Sequence, residues 1–246
     1  MTRALDEIPS ARRDAQRVEA AYARLREAIV KGELPPGDAI LQERLAKTYE
    51  ISRTPLREAL RMLERDGLVV SEPNRSFRVA GFTMSEMEEI YVARLPIEAM
   101  AIYQTVPQLT TRDLAELEGL MAQMATYANA EDYDSWELPH RAFHSRLTSK
   151  AGSRISRMLS ELSDHAERYR RYYTIEGPRA WNIGCDEHRA ILDRCLAGEP
   201  AEAAFALVAH LSHTALSLIE LVEPDYEPKA LRIAVEMANS LSKERP

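Results

Sequence analysis

The chain contains little glycine and little cysteine, and each scarcity excludes a class of protein. Its 246 residues include nine glycines. They form neither a phosphate-cradling glycine loop nor a Gly-x-Ser-x-Gly nucleophile elbow. The only cysteines, Cys185 and Cys195, cannot build a disulfide framework, and ten residues apart on one helix they would be too distant to bridge. We therefore expect a protein of the reducing cytoplasm.

Long apolar runs are scarce as well. No run approaches the roughly 20 residues that span a bilayer, and the first 20 residues lack the apolar core of a signal peptide. The hydrophobic fraction of 45% and the charged fraction of 29% are ordinary for a globular protein. We expect two modest domains with no membrane partner.

An excess of positive charge is also missing, because the formal net charge is −7. Residues 1–82 carry 15 Lys and Arg against 13 Asp and Glu, a formal +2, whereas residues 83–246 carry 17 against 26, a formal −9. A nucleic-acid site in the first part would depend on a local arginine face. If the chain bound DNA, the small formal charge of +2 would make nonspecific binding weak, and binding would need a dimer and two half-sites.

Residues 25–79 show three helical periods followed by two strand-like runs. In the third helix the apolar residues fall on one face, at Leu56, Ala59, Leu60 and Leu63. Arginines fall on the other face, at Arg53, Arg57, Arg61 and Arg65. Ser52 or Thr54 can cap the helix start, and Pro55 is tolerated in its first turn. This pattern is typical of the recognition helix of a winged helix-turn-helix.

The strand-like runs at residues 68–70 and 77–79 predict a wing. Its turn covers residues 72–76, with Asn74, which tolerates positive φ, at the tip. Arg75 is the candidate for a minor-groove or phosphate contact by the wing. Arg44, at the start of the second helix, is a further candidate for a contact with the DNA backbone.

The run from Ile51 to Leu60, ISRTPLREAL, carries the densest family likeness. Leu45-Ala46 precedes it and Leu63-Glu64-x-x-Gly67-Leu68 follows it. The stretch resembles the N-terminal domain of the GntR family of bacterial transcription regulators. The resemblance implies that Ser52, Arg53, Thr54 and Arg57 contact operator DNA. GntR proteins usually have glycine at the wing tip, so Asn74 is a departure.

The chain as a whole is predicted to be mainly α. We expect a mobile arm over residues 1–16, a winged helix-turn-helix with a small β wing over 17–82, and an all-α helical bundle over 83–223. The bundle should contain about six helices, separated by breaks rich in glycine, proline and polar residues. Residues 224–246 form an extension with one amphipathic helix, which could pack on the bundle, swap to a partner subunit or hang free.

Four histidines in the bundle are spaced so that they could meet. His140 and His144 lie one turn apart on one helix, and His188 and His210 lie on two later helices. Imidazole suits zinc, nickel, copper or iron. Taken alone, a histidine on an apolar helix face is more often a hydrogen-bonded core residue.

Residues 84–222 resemble FCD, the all-helical ligand-binding domain of the FadR branch of the family. The likeness rests on Arg94-x-x-Ile97-Glu98, Phe143-His144, Glu187-His188-x-x-Ile191 and the distance from His188 to His210. It implies a divalent transition metal, zinc first and nickel or another as alternatives. The usual ligands are three histidines and an acidic residue four positions before the first. His140 holds that position, so the site has four histidines or, if His140 points away, three.

The missing carboxylate changes the expected ligand. A metal held by neutral imidazoles keeps its formal +2 charge, so we expect a small carboxylate effector to complete its shell. Arg94 is the candidate for a second effector contact, and an ion pair with Glu98 is the alternative. His213 is a reserve ligand, and His165 is left out.

These observations predict a homodimeric DNA-binding regulator, a repressor released from an inverted-repeat operator by a small carboxylate. An acyl-CoA or other organic-effector sensor without metal is the alternative. A metal-dependent hydrolase is remote, because Arg141 follows His140 where zincins have their glutamate base. We therefore expect no enzyme activity.

Overall fold

The computed structural model describes residues 8–72, 76–174 and 179–243, and the chain divides into two compact units, Met1–Phe82 and Thr83–Pro246. The described residues of the first unit form three helices and three strands. They are α1 (Ile8–Val30), β1 (Ala39–Ile40), α2 (Gln42–Thr48), α3 (Arg53–Arg65), β2 (Val69–Glu72) and β3 (Ser76–Val79). This is the predicted winged helix-turn-helix, which confirms the fold class for this part.

Helix α1 begins earlier than predicted. We predicted a mobile arm over residues 1–16, but the helix already includes Ile8, so residues 8–16 of that arm are helical. It ends at Val30, followed by Gly32 at φ +73°, a conformation that costs glycine little. Residues 1–7 lie outside the described part of the chain.

The wing is a three-stranded antiparallel sheet in the order β1-β3-β2. Phe77 of β3 pairs with Ser71 of β2 on one side and with Ile40 of β1 on the other. Strand β1 was not predicted, because two residues are too short to show alternation. Residues 73–75, which include Asn74 and Arg75, lie outside the described residues, so the wing-tip contact stays a prediction.

The core of the first unit forms between α1, α3 and the sheet. The apolar face predicted for α3 is buried, and Leu25 of α1 packs with it, all four leucines being inaccessible: Leu25, Leu56, Leu60 and Leu63. The hydroxyl of Tyr22 donates a 2.6 Å hydrogen bond to Asp66, just after α3. Burial of the apolar face leaves the arginine face of α3 toward solvent.

The second unit is all-helical in its described residues. Its elements are α4 (Met84–Thr105), a short 3-10 helix (Val106–Gln108), α5 (Thr111–Asn129), α6 (Tyr133–Leu147), α7 (Ser153–Thr174), α8 (Arg179–Leu196), α9 (Pro200–Val222) and α10 (Lys229–Lys243). Helices α4 and α9 pack against each other, α7 and α10 pack against both, and α5 packs against α6 and α8. The six helices predicted for the bundle are confirmed.

Helix α10 packs on the bundle of its own chain. Leu231 and Ala238 are buried, and the α4 carboxylate of Glu88 accepts hydrogen bonds from the backbone N–H of Leu231 (2.9 Å) and the hydroxyl of Tyr226 (2.5 Å). Glu88 thus satisfies a donor in the first turn of α10, where a helix has no acceptors of its own. Of the three arrangements left open by the sequence, packing on the bundle is the one observed.

Helix α9 corrects one expectation from the sequence. Its 23 residues are long and apolar enough to cross a membrane by length and composition alone. In this structure the apolar residues of α9 serve helix packing, because α9 packs against α4, α7, α8 and α10 and buries His210. Apolar residues on several faces are expected of a helix surrounded by other helices.

Candidate functional site

The first candidate site is the exposed start of α3. Arg53, Thr54 and Arg57 are all exposed and line a shallow depression with Gln42 and Glu43 from the start of α2. Arg53 Nη2 lies 2.8 Å from Glu43 Oε1, and the two side chains are 77% and 83% exposed. An ion pair this exposed contributes little to stability, so Arg53 can exchange its partner for a base or a phosphate.

The other predicted DNA-contacting residues differ in position. Ser52 occupies the N-cap position of α3 by its backbone angles, but its side chain makes no capping hydrogen bond among the described residues, contrary to one alternative from the sequence. It is exposed, as is Arg44 on α2. Their contacts with DNA stay predictions, and Arg75 lies outside the described residues.

The second candidate site is the histidine cluster in the helical unit. His140 and His144 on α6, His188 on α8 and His210 on α9 each offer a ring nitrogen, and these atoms all lie within 4.8 Å of one another. The Nε2 atoms of His144 and His188 are 3.1 Å apart. Helix packing therefore brings together the four imidazoles that the sequence predicted.

Two of the four imidazoles, those of His140 and His144, are kept neutral by their surroundings. Burial lowers the pKa of His140 well below its ordinary value, and the positive charge of Arg170 lowers it further. Burial likewise lowers the pKa of His144, with His188 adding to the effect. A neutral imidazole keeps a lone pair for a metal, whereas a protonated ring has none.

Glu187 orients one of the four rings. Its Oε2 accepts a 2.8 Å hydrogen bond from His210 Nδ1, and its Oε1 accepts one of 2.5 Å from His213 Nδ1. Burial raises the pKa of Glu187, but the hydrogen bonds with His210 and His213 outweigh it, so the pKa lies below its ordinary value. A carboxylate on Nδ1 directs the other nitrogen of His210 as a ligand.

Arg170 on α7 also contacts the cluster, at His140. Its Nη1 lies 3.0 Å from both ring nitrogens of His140, and its Nη2 contacts Glu167 and, at 2.6 Å, Glu137 Oε2. Trp136 stacks on His140 with ring centroids 4.3 Å apart. Burial raises the pKa of Glu137, and the charge of Arg170 opposes this rise.

A cavity of about 310 Å³ opens beside the cluster. Three of the four histidines line it, as do the guanidinium-bearing residues Arg94, Arg141 and Arg170. Arg94 Nε makes a buried 2.7 Å ion pair with Glu98. The ion pair that the sequence offered as the alternative therefore exists, while Arg94 also faces the space where an effector would bind.

The residues present fit a divalent transition metal. Tetrahedral Zn–N bonds of 2.0–2.1 Å separate ligand nitrogens by about 3.3 Å, close to the spacing of His144 and His188. His144 Nδ1 is buried and has no hydrogen-bond partner among the described residues. A metal can take the lone pair of Nε2 or of Nδ1 of this ring, depending on which nitrogen carries the proton.

Two family models match the chain. The model for bacterial regulatory proteins of the gntR family matches residues 17–79, and the model for the FCD domain matches residues 89–213, about half of the chain. The chain belongs to the GntR family. It is therefore a DNA-binding transcription regulator with an FCD-type helical domain. Its relatives are transcription regulators and not enzymes.

The relatives are similar along most of their length. The HTH-type transcriptional regulator YdhC of Bacillus subtilis is 27% identical over 84% of this chain and 92% of its own. The HTH-type transcriptional repressor GlaR of Escherichia coli is 29% identical over 77% and 90%. The solved structure of E. coli McbR/YncC has a TM-score of 0.76 at 22% identity, over 83% of this chain and 97% of its own, which shows a shared fold.

Sequence reasoning missed three residues around the histidines of this GntR regulator. Glu137 precedes His140 by one helical turn and Glu187 directly precedes His188. Their spacing from these histidines could therefore have predicted carboxylates near the cluster. The sequence could not have predicted Arg170, because a residue 30 positions from His140 shows no periodic relation to it. Helix packing alone brings Arg170 to the cluster.

Proposed function

We propose that this GntR regulator is a cytoplasmic homodimeric repressor that leaves an inverted-repeat operator when a small carboxylate binds beside a metal in its helical unit. The observation that carries the proposal is the cluster of four imidazoles, two with lowered pKa values, next to a cavity lined by three arginines. The histidines would hold a divalent metal, most favourably zinc, with nickel as a further candidate.

The bound metal would supply a positive charge at the cavity wall. Imidazole ligands leave its formal charge uncompensated, and the arginines add to the attraction for an anion. The cavity lies at the lower end of the about 300–1,000 Å³ found for ligand sites, which favours a small carboxylate. The alternative, an acyl-CoA sensor without metal, fits neither this size nor the histidine cluster.

The repressor assignment rests on the match between a twofold dimer and the two half-sites of an inverted repeat. Two exposed α3 helices would read two half-sites of an inverted repeat, with Arg53, Thr54 and Arg57 toward the major groove, Ser52 and Arg44 toward phosphates and Arg75 on the wing. Effector binding would change the separation of the two recognition helices, so that both half-sites no longer fit at once. The repressor named GlaR among the relatives supports this direction of control.

The first experiment is elemental analysis of protein purified without a histidine tag. We expect about one zinc-type metal per chain in the wild type and a loss or weakening of metal binding in His140→Ala. His165→Ala serves as the control, since His165 does not belong to the cluster. Metal retained in full by His140→Ala would leave a three-histidine site, whereas a metal-free wild type that cannot be loaded would refute the metal model.

A further inference from the structure

Glu43 places a negative charge on the surface that would face DNA. It lies in the first turn of α2, is exposed, and lines the same depression as Arg53, Thr54 and Arg57. Phosphates repel a carboxylate, and like charges brought together across an interface cost affinity. A surface that bound only the DNA backbone would therefore bind better without Glu43, which makes a hydrogen-bond donor on a base the favourable partner for this carboxylate.

The pairing of Glu43 with Arg53 limits which bases could supply that donor. Arg53 Nη2 donates a 2.8 Å hydrogen bond to Glu43 Oε1. A guanidinium has several N–H donors and a carboxylate has several acceptor lone pairs, so one hydrogen bond leaves both groups with further capacity. The two side chains thus present donors and acceptors side by side, and they can bind a second donor and acceptor without separating.

A G·C base pair offers the matching arrangement in the major groove. Guanine presents the acceptors O6 and N7, and cytosine presents the N4–H donor. Guanine O6 and cytosine N4 are joined by a Watson–Crick hydrogen bond of about 2.9 Å. This length is close to the 2.8 Å between Arg53 Nη2 and Glu43 Oε1, so Arg53 can donate to O6 while Glu43 accepts from N4 and the ion pair stays intact.

Other DNA sites would leave Glu43 without a donor. Where no guanine is in reach, Arg53 can leave for a phosphate, because so exposed an ion pair is weak. Glu43 would then lie unpaired beside the negatively charged backbone and lower the affinity. The carboxylate therefore penalises nonspecific sites more than a matching site, which is how a repulsive element produces specificity.

We propose that Glu43 and Arg53 together read one G·C base pair in each half-site, with Arg53 on the guanine and Glu43 on the cytosine. The inference rests on the proposed placement of α3 in the major groove and deepens it by assigning a base pair to the site. Glu43 is then a specificity-determining residue, although its charge opposes DNA binding in general.

The test begins with selection of operator DNA from random sequences by the wild type. Operator variants then carry each possible base pair at one position of both half-sites, and Arg53→Ala identifies the position that Arg53 reads. In equilibrium titrations at fixed salt, wild type should bind the G·C variant about tenfold more tightly than the A·T variant. Glu43→Ala should lose most of this preference, and combining it with Arg53→Ala should cause no further loss.

Two variants separate base reading from a general effect of charge. Glu43→Gln keeps an acceptor oxygen and should retain part of the preference that Glu43→Ala loses. Glu58→Ala removes another exposed carboxylate of the same depression, paired at 3.2 Å with Arg61, and should leave the preference unchanged. Equal loss of preference in Glu58→Ala and Glu43→Ala would show a general charge effect and overturn the reading of cytosine.

Random DNA provides the second measurement. Glu43→Ala should bind random DNA more tightly than wild type, because a repelled carboxylate is gone, while its affinity for the G·C operator stays the same or falls. The ratio of operator affinity to random-DNA affinity should therefore fall at least about fivefold. If Glu43→Ala gains equally on both DNAs and keeps the preference for G·C, Glu43 is only a repelling charge and the proposal fails.

Two further outcomes have different meanings. An Arg53-dependent position that prefers a base pair other than G·C would overturn the inference but leave α3 in the groove. A wild type that selects no operator, or whose base preferences Arg53→Ala leaves unchanged at every position, would instead refute the proposed DNA placement on which the inference rests.

Discussion

At the scale of single residues, Arg53 is placed to exchange one partner for another. Its exposed ion pair with Glu43 is worth at most about 1 kcal/mol, so it does not hold the arginine against DNA. The sequence predicted the exposed position of Arg53 from helical periodicity. It could not predict Glu43 as the partner, because that contact depends on how α2 meets α3.

Replacing Arg53 with alanine should lower the affinity for operator DNA by about 1–3 kcal/mol if the side chain reads a base. The measurement is an equilibrium titration at fixed salt with operator and random DNA, using an operator obtained by selection from random sequences. Arg65→Ala, at the other end of α3, is the matched control and should change little. An equal loss on both DNAs would assign Arg53 to phosphate.

Glu187 belongs to the same scale, as a residue that acts through another. Replacing it with alanine removes the acceptor of His210 Nδ1, so the ring loses its fixed orientation. We expect zinc affinity to fall by roughly 10–100-fold. Asp193→Ala, an exposed acidic residue of the same helix paired with Arg189, should leave zinc affinity intact. If both variants weaken zinc equally, Glu187 contributes only its charge.

At the scale of elements, most helices were predicted from the period of their apolar residues and from the breaks between them. The apolar faces of α3 and of the bundle helices repeat at the helical spacing, and breaks rich in glycine, proline or polar residues separate the six helices of the bundle. The start of α1 and strand β1 were missed for different reasons. Residues 8–16 are polar enough to resemble an arm, and β1 exists only because β3 pairs with it.

The N-terminus of α5 offers a prediction on pH. Hydrogen bonds from the backbone and hydroxyl of Thr110 lower the pKa of Asp113 from 3.8 to about 2, with Lys150 adding to the effect. A lowered pKa contributes stability that is present above 3.8 and is lost as the pH falls toward about 2. Asp113→Asn should therefore be less stable than wild type near neutral pH.

The same variant should approach wild-type stability as the pH falls through that range. Denaturant unfolding followed by circular dichroism at several pH values measures both trends. Asp132→Asn, which removes the N-cap carboxylate of α6, shows how a loss at another helix start behaves. A stability difference for Asp113→Asn that stays constant down to the lowest pH would show that its charge does not matter.

At the scale of the whole molecule, the two units must be coupled if the regulator responds to a ligand. Linkage requires that a ligand which lowers operator affinity by some factor is itself bound more weakly, by the same factor, when the operator is present. We expect zinc together with a small carboxylate such as succinate to show this reciprocity. The measurement is a ligand titration with and without saturating operator DNA.

The control for this titration is Arg53→Ala, which should bind the ligand normally but lose the effect of operator DNA at the same DNA concentration. Ligand affinity that is unaffected by saturating operator, in a protein whose operator affinity does fall with ligand, would violate equilibrium linkage. Such a result would point to aggregation or metal loss. Unchanged operator affinity at saturating ligand would refute induction through this domain.

The sequence by itself determined the class of the molecule and identified the candidate residues of its two sites. Helical periodicity placed arginines opposite a buried apolar face and put His140 and His144 one turn apart, because both depend on short-range geometry that a sequence records directly. His188 and His210 were assigned to the same site through the resemblance to the FCD domain. The tertiary structure decided which side chains surround those residues. Arg170 meets His140 and Glu187 meets His210 only because α7 and α9 pack as they do, and such contacts depend on helix packing that no spacing encodes.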